Sequence, residues 1–366
     1  MKQRVPKEIH QERLKMHHAN VEKRKLYFDE GGSSFRKELL EERSCPACKE
    51  SHEQFLFFKD GGRHVRCEVC EMIYLNPVFK DEHLENHYRN NHDCQSEIVS
   101  NDSEFYTNIY SKGLRSIESV AVKGNILDIG CSAGGFLDIA KKNEWQTFGV
   151  ELNEKEAAYG VSKGHKIYND LLSNVKLDTK MDAITLWDVF EHLKDGEAYL
   201  NEMKPLLSDN GVIFLQIPSA DSLAAKMLQE KCNMFDGIEH VNLYSFKAVE
   251  KLVKKCGFSI ESFETVISEI GVMNNYLSYQ DPYFGDSTQT SILISQPLDE
   301  AWIHKNKLGY KMQLVFKKRS RNSVQNVLCR TLNRIFIMMS MVCVMHAVPK
   351  IPKIFILTGM RKKKSF

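Results

Sequence analysis

From Gly124 onward the chain alternates short apolar runs with stretches whose apolar positions recur every third or fourth residue. NILDIG (125–130) is followed by the helically spaced AGGFLDIAKKN, and QTFGVEL (146–152) by NEKEAAYGVSKG. HKIYN (165–169), MDAITLWDV (181–189), a helical EAYLNEMKPLLS, the turn Asp209-Asn210-Gly211 and GVIFLQIP (211–218) continue the pattern. Unbroken apolar runs suit strands buried on both faces, and the helical stretches between them suit right-handed crossovers. The pattern predicts an α/β fold built on a doubly wound, mostly parallel, Rossmann-like sheet. Past Pro218 the signal loosens. Helices are predicted over SLAAKMLQEK and SFKAVEKLVKKCG, with strands at FSIESFE (258–264) and GYKMQLVFKK (309–318).

The flanking segments read differently. Residues 1–40 are dense in charge of both signs, with Ile9, Leu14, Val21 and Leu26 as scattered apolar positions. They predict a solvated helical extension that stops at Gly31-Gly32-Ser33-Ser34. Residues 41–80 form a cysteine-bearing unit, 81–104 a polar connector, and 105–320 the α/β domain with an insertion at about 265–307. Residues 321–366 are a basic and apolar extension. Its apolar run 335–348, set between basic stretches, reads either as a peripheral contact with an anionic membrane or as a helix packed on the domain. The run is too short to span a bilayer.

Composition adds bounds. With 42% hydrophobic and 27% charged residues the chain belongs to the ordinary globular class, and a formal net charge of +2 gives no global pull toward nucleic acid. Ten cysteines follow an N-terminus with no apolar leader, which points to a reducing, cytoplasmic setting. Cys45-Pro-Ala-Cys48 and Cys67-Glu-Val-Cys70 then read as two knuckles around one Zn2+. Four thiolates would close its coordination, so the metal is expected to be structural. A redox dithiol pair or a lost site is the other reading.

The turn after the first strand, Gly130-Cys131-Ser132-Ala133-Gly134-Gly135, resembles a dinucleotide loop but carries Ser132 where the middle glycine would stand. Asp128 would also sit beside an anionic pyrophosphate, whereas it suits a cofactor with a cationic end. Glu151 closes the next strand, where an acid can accept both ribose hydroxyls. Asp170 follows the third strand, within reach of an adenine amino group or simply as a surface acid. All of these fall at the strands' C-terminal ends, where such sheets bind ligands.

LDIGCSAGGF, GVELN, and LWDVFEHLKD with LLSDNGVIFLQIPS resemble the motifs of class I S-adenosylmethionine-dependent methyltransferases, over about residues 104–260 and the 309–318 strand. The resemblance implies a seven-stranded sheet and S-adenosyl-L-methionine as cofactor. It implies that Asp128, Gly130 and Gly134, with Cys131 and Ser132 between them, border the methionine part. Glu151 then meets the ribose, Asp170 and Leu171 the adenine, and Asp188 the sulfonium and substrate. The family commonly has glycine at the position of Ser132.

Methyl transfer is an in-line displacement that needs a base only when the acceptor must lose a proton. The candidates are His192 and His240, with Asp188 nearby. Each histidine also admits a purely structural reading. The Glu191-His192 pair resembles that of ubiquinone-type and sugar C-methyltransferases, and one acid alone does not argue for a second metal. The strand carrying Asp188 lacks the Asn/Asp-Pro-Pro-Tyr/Phe ending of amino methyltransferases acting on nucleic-acid bases. Oxygen or carbon of a small molecule or glycan, a nucleotide sugar or lipid-linked sugar among them, is therefore the expected acceptor. The four-cysteine unit ahead of the domain resembles bacterial sugar C-methyltransferases, whose following tyrosine segment (here Tyr88) lies over the site. Their C-terminal domain is not recognisable here. A zinc-containing RNA methyltransferase, a nicotinamide oxidoreductase and a non-catalytic binding module are the alternatives. The sequence is silent on oligomeric state.

Overall fold

The computed structural model describes residues 25–32, 34–84, 103–276, 278–285, 291–292 and 298–319. The charged extension over 1–24, most of the connector with Tyr88, and the C-terminal segment read as a membrane contact lie outside the described residues. Among the described residues no helix is long and apolar enough to cross a membrane.

Five short strands come first: Leu40–Glu41 (β1), Glu53–Lys59 (β2), Gly62–Cys67 (β3), Ile73–Leu75 (β4) and Val78–Phe79 (β5). The α/β part begins with helix α1 (Ser103–Glu118), then β6 (Asn125–Ile129), α2 (Gly135–Lys142), β7 (Gln146–Val150), α3 (Glu154–Ser162) and β8 (Lys166–Tyr168). It continues with β9 (Met181–Trp187), α4 (Gly196–Met203), β10 (Leu207–Pro218), α5 (Leu223–Leu228), β11 (Asn242–Leu243), α6 (Phe246–Lys255) and β12 (Phe258–Val266). Helix α7 (Ile270–Asn275), the small hairpin of β13 (Ser291–Ile292) and β14 (Leu298–Asp299), α8 (Glu300–Lys305) and β15 (Lys311–Lys318) complete it.

The expected sheet is present, with seven strands in the order β12-β15-β10-β9-β6-β7-β8. The run from β8 to β10 is parallel, and β15 inserts antiparallel between β10 and β12. Strands β6 and β9 are neighbours whose onward connections leave in opposite directions, so the crevice at their C-terminal ends is the topological switch point. Helix starts follow side-chain chemistry. Asn153 caps α3 through the amides of Lys155 and Glu156, and Asp195 caps α4 through Glu197 and Ala198. The turn expected at Asp209-Asn210-Gly211 is instead absorbed into β10 as an irregularity between Leu207 and Val212.

Leu114 and Ile117 of α1 and Phe136 of α2 cover one face of the sheet, packed on Trp187 and Phe214. Val249 and Leu252 of α6 pack on Leu186 and Leu215 on the other. That second core takes in Cys45, Val65, Met72 and Tyr74, so the cysteine unit and the α/β domain share one hydrophobic interior. They also share a sheet. β11, from the loop after β10, pairs antiparallel with β4 and completes the order β11-β4-β3-β2. Nothing in the alternation of apolar residues announced this pairing. The backbones close in elsewhere too: a Cβ on Gly237 would lie 2.3 Å from the Asp60 carbonyl oxygen at the β2–β3 turn.

Arg43 clasps the two parts. Its guanidinium donates to the carbonyl oxygens of Leu75 (3.0 Å), Val241 (2.7 Å) and Lys194 (3.4 Å). A methionine there would fill similar space but leave these acceptors without a donor, at about 1–3 kcal/mol for each that stays dry. Arg43→Met is expected to lower unfolding stability by about 2–4 kcal/mol. Urea denaturation followed by circular dichroism would show this as a lower midpoint with unchanged slope.

Candidate functional site

At the end of β6 the chain turns through Gly130 (φ 70°), Ser132 (φ 47°) and Gly134 (φ 76°) into α2. Gly130 is required twice over, because a Cβ there would also lie 2.6 Å from Val189 Cγ2. Ser132 holds a left-handed conformation that costs an L-residue about 1–2 kcal/mol. Two hydrogen bonds offset this. Its Oγ donates to Glu156 Oε2 (2.7 Å) and its amide to Glu151 Oε2 (2.8 Å). The serine in the glycine position is thus held by the acids of the next strand and helix. Cys131 turns its thiol into the core against Gly149, leaving its backbone to the loop.

Glu151 also accepts the Asn153 amide on Oε1 (2.8 Å), so its carboxylate is aimed from both sides. A carboxylate oxygen has two acceptor positions, which leaves Glu151 capacity for hydroxyl donors. Burial raises its pKa, against the pull of these amides. Asp128 is buried and sits directly across the ladder from Thr185, whose hydroxyl donates to it at 2.7 Å. Burial pushes the Asp128 carboxyl up to about 8, with the Thr185 hydrogen bond opposing it. Asp170 accepts from the Leu171 amide (2.7 Å) and Asn174 Nδ2 (2.9 Å), and both Asp170 and Leu171 stay half-exposed beside β8.

The β9 end carries a second group. Asp188, also left-handed (φ 55°), accepts from Gln216 Nε2 (3.1 Å) and pairs with Lys311. Burial pulls the lysine's pKa down, but the Asp188 charge and hydrogen bond outweigh it and the net shift is upward. Sequence reasoning missed Lys311. It opens β15, and only the antiparallel direction of that strand brings it to the C-terminal edge of β9. Tyr110 of α1 was missed as well. Its ring meets Trp187 edge-on at 4.8 Å, and burial and then the Asp128 charge raise its hydroxyl pKa. Its signal was the aromatic spacing FYTNIY, which helical periodicity also explains.

Just beyond Asp188 a short helical turn, Phe190–His192, presents Glu191 and His192. The structure brings His240 to them: the two imidazole centroids are 4.9 Å apart. Burial, then His240, lowers His192 to about 4. His240 Nδ1 lies 2.6 Å from the Met234 carbonyl oxygen. Glu191 is fully buried and its pKa is raised by burial and then by Asp188.

The four cysteines Cys45, Cys48, Cys67 and Cys70 converge with all sulfurs within 4.8 Å of one another. Two matching turns hold them. Lys49 and Glu71, each left-handed, donate their amides to the Cys45 and Cys67 carbonyls at 2.8 and 2.9 Å. Sulfur separations of 3.5 Å (Cys45–Cys70) and 3.4 Å (Cys48–Cys67) are close to the about 3.8 Å edge of a tetrahedron with 2.3 Å metal–sulfur bonds. The donor set therefore fits a zinc ion.

Residues 105–262 match the family described as a methyltransferase domain. An uncharacterized protein of Methanocaldococcus jannaschii is 26% identical over 164 residues, 44% of this chain and 78% of that one. Among solved structures, an S-adenosylmethionine-dependent methyltransferase from Clostridium acetobutylicum is 14% identical, with 60% of this chain and 100% of that chain covered and a TM-score of 0.37. A counterpart from Archaeoglobus fulgidus is 17% identical, covers 58% and 94%, and has a TM-score of 0.41. The sheet order and the family match mark residues 105–262 as a methyltransferase domain.

The Asp128 shift sets a pH dependence. An unfolded aspartate titrates near about 3.9, so the native carboxyl holds its proton over a window in which the unfolded one has lost it. Its stabilising contribution is complete below the unfolded pKa and lost as pH rises through about 8. The cofactor-free protein is expected to have a lower urea midpoint at pH 8.5 than at pH 5. Asp128→Asn should flatten that difference, and an equal slope in both proteins would refute the assignment.

Proposed function

We propose that this methyltransferase transfers a methyl group to an oxygen or carbon of a small-molecule or glycan acceptor, with structural zinc at Cys45, Cys48, Cys67 and Cys70. One observation carries the reading: acids from successive strands meet a left-handed loop at the switch point, with Asp128 beneath it and Glu151 bonded to it. Asp128, with the backbone of Gly130 to Gly134, takes the cationic methionine end, Glu151 the ribose, and Asp170 with Leu171 the adenine. A buried carboxyl of raised pKa gains most from a cation placed beside it. This supports a sulfonium cofactor over a pyrophosphate one. Asp188, His192 and His240 line the acceptor side and handle the acceptor's proton where one must leave. The cysteine unit ahead of the domain supports a sugar-bearing acceptor by its likeness to sugar C-methyltransferases. The free cysteines support a reducing, cytoplasmic setting.

Calorimetric titration with S-adenosylhomocysteine tests the cofactor roles. Asp128 is largely protonated at pH 7, and an ammonium beside it favours the ionised form, so binding should release up to about one proton. The heat of binding would then vary with the buffer's ionisation enthalpy, and Asp128→Asn would remove that variation while weakening affinity about tenfold or more. A folded, zinc-loaded protein that binds no cofactor would sink the proposal. For the zinc, elemental analysis should give about one ion per chain, with Cys45→Ser lowering both zinc content and melting temperature.

A further inference from the structure

Tyr110 carries a hydroxyl that its packing does not require. Tyr106, Tyr110, Leu114 and Ile117 follow one another along a face of α1, and the last two are buried on the sheet. The two tyrosines lie nearer the start of the helix and stay half-exposed. The Tyr110 ring is fixed between the two halves of the site. It meets Trp187, the residue before Asp188, edge-on at 4.8 Å, and Phe136, the residue after Gly135 of the loop, at 5.8 Å. Nearly one turn further on, a Cβ at Gly113 would lie 2.4 Å from Trp187 Cη2, so the helix backbone is pressed onto β9 and holds the ring there.

The hydroxyl makes no hydrogen bond among the described residues. Burial, then Asp128, Tyr106 and Asp188, raise its pKa, so it stays a neutral phenol. Both acids are thus near enough for their charge to be felt at the hydroxyl. On the methyl-transfer reading, on which this placement rests, Asp128 takes the ammonium of the methionine moiety and Asp188 lies on the acceptor side. Three carbons of that moiety separate the ammonium nitrogen from the sulfonium sulfur. The S-methyl group then falls between the two acids, where the Tyr110 hydroxyl lies. A sulfonium makes the hydrogens of its methyl group electropositive, and a phenol oxygen has lone pairs to accept them.

We propose that the Tyr110 hydroxyl oxygen contacts the S-methyl group of S-adenosylmethionine and aims it at the acceptor. Tyr110 is then a catalytic residue that takes no part in proton transfer. As the acceptor's oxygen or carbon bonds to the methyl carbon, the sulfur–methyl bond breaks and its electron pair stays on sulfur, giving the neutral thioether. A proton leaving the acceptor passes to the groups on the Asp188 side, and Tyr110 keeps its own. The contact contributes orientation, because displacement requires the acceptor atom, methyl carbon and sulfur in line. The thioether product has no S-methyl group, so the same contact does not retain it.

S-adenosylmethionine and S-adenosylhomocysteine are the probes. They share the ammonium, ribose and adenine and differ only in the methyl group and its charge. In calorimetric titration of the full chain, Tyr110→Phe should weaken S-adenosylmethionine about two- to fivefold and leave S-adenosylhomocysteine unchanged. A tyrosine that only packs would shift both ligands alike or neither, and either result would overturn the proposal. Tyr110→Leu should lower the same ratio of affinities, and it decides if the phenylalanine variant does not fold. In the wild-type protein alone, bound S-adenosylmethionine carrying a 13C-labelled methyl should show nuclear Overhauser contacts from that methyl to tyrosine ring protons. A bound methyl without them would also overturn the proposal. Wild-type protein that binds neither ligand would sink the methyltransferase reading too, whereas binding of both with an unmoved ratio overturns the Tyr110 contact alone.

Discussion

Pairing of β11 with β4 is the constraint on which the rest of the molecule depends. Only two residue pairs are involved, Asn242 with Tyr74 and Leu243 with Ile73, yet they place a loop of the α/β domain inside the sheet of the cysteine unit. Ser245, which caps α6, donates its hydroxyl to the Cys70 carbonyl at 2.7 Å. Arg43 reaches from ahead of the first knuckle to the carbonyls on either side of the junction. The four-cysteine unit therefore buries its knuckles in the core of the sheet domain. The consequence reaches the site, since His240 lies two residues before β11. Its place beside His192 is set as much by the cysteine unit as by the α/β fold.

A second organising feature is the concentration of carboxyls in low dielectric at one edge of the sheet. Asp128, Glu151 and Glu191 all have pKa values raised first by burial. Evenly solvated acids would not behave this way, and each is therefore sensitive to a nearby positive charge. Asp188 already has a cation beside it, the ammonium of Lys311. The edge thus combines a compensated acid with others whose charge awaits a partner, a usual condition of binding sites.

Much of this was legible in the chain. The apolar runs gave the strands, the glycine turn located the loop, and Ser132 together with Asp128 argued against a pyrophosphate. The structure adds why serine works there: its hydroxyl and amide are both taken by acids, Glu156 and Glu151. Glu156 was not singled out, since one more glutamate in a charged helix carries no periodic signal. Lys311, Gln216 and Tyr110 were missed for a related reason. Each lies far in sequence from the residues it faces, and a lone polar residue at a strand end looks the same whichever way the strand runs.

Local pattern determined by itself the parallel α/β core, the knuckle pairs and the acids at the strand ends. These depend on spacing within a few residues, where backbone geometry dictates which side chains share a face. Tertiary structure alone decided that β15 runs antiparallel and delivers Lys311 to Asp188. It alone decided that β11 leaves the domain to join the cysteine unit, and that His240 meets His192 and Glu191. These are long-range contacts set by how whole elements bury their surfaces, and no local periodicity encodes them.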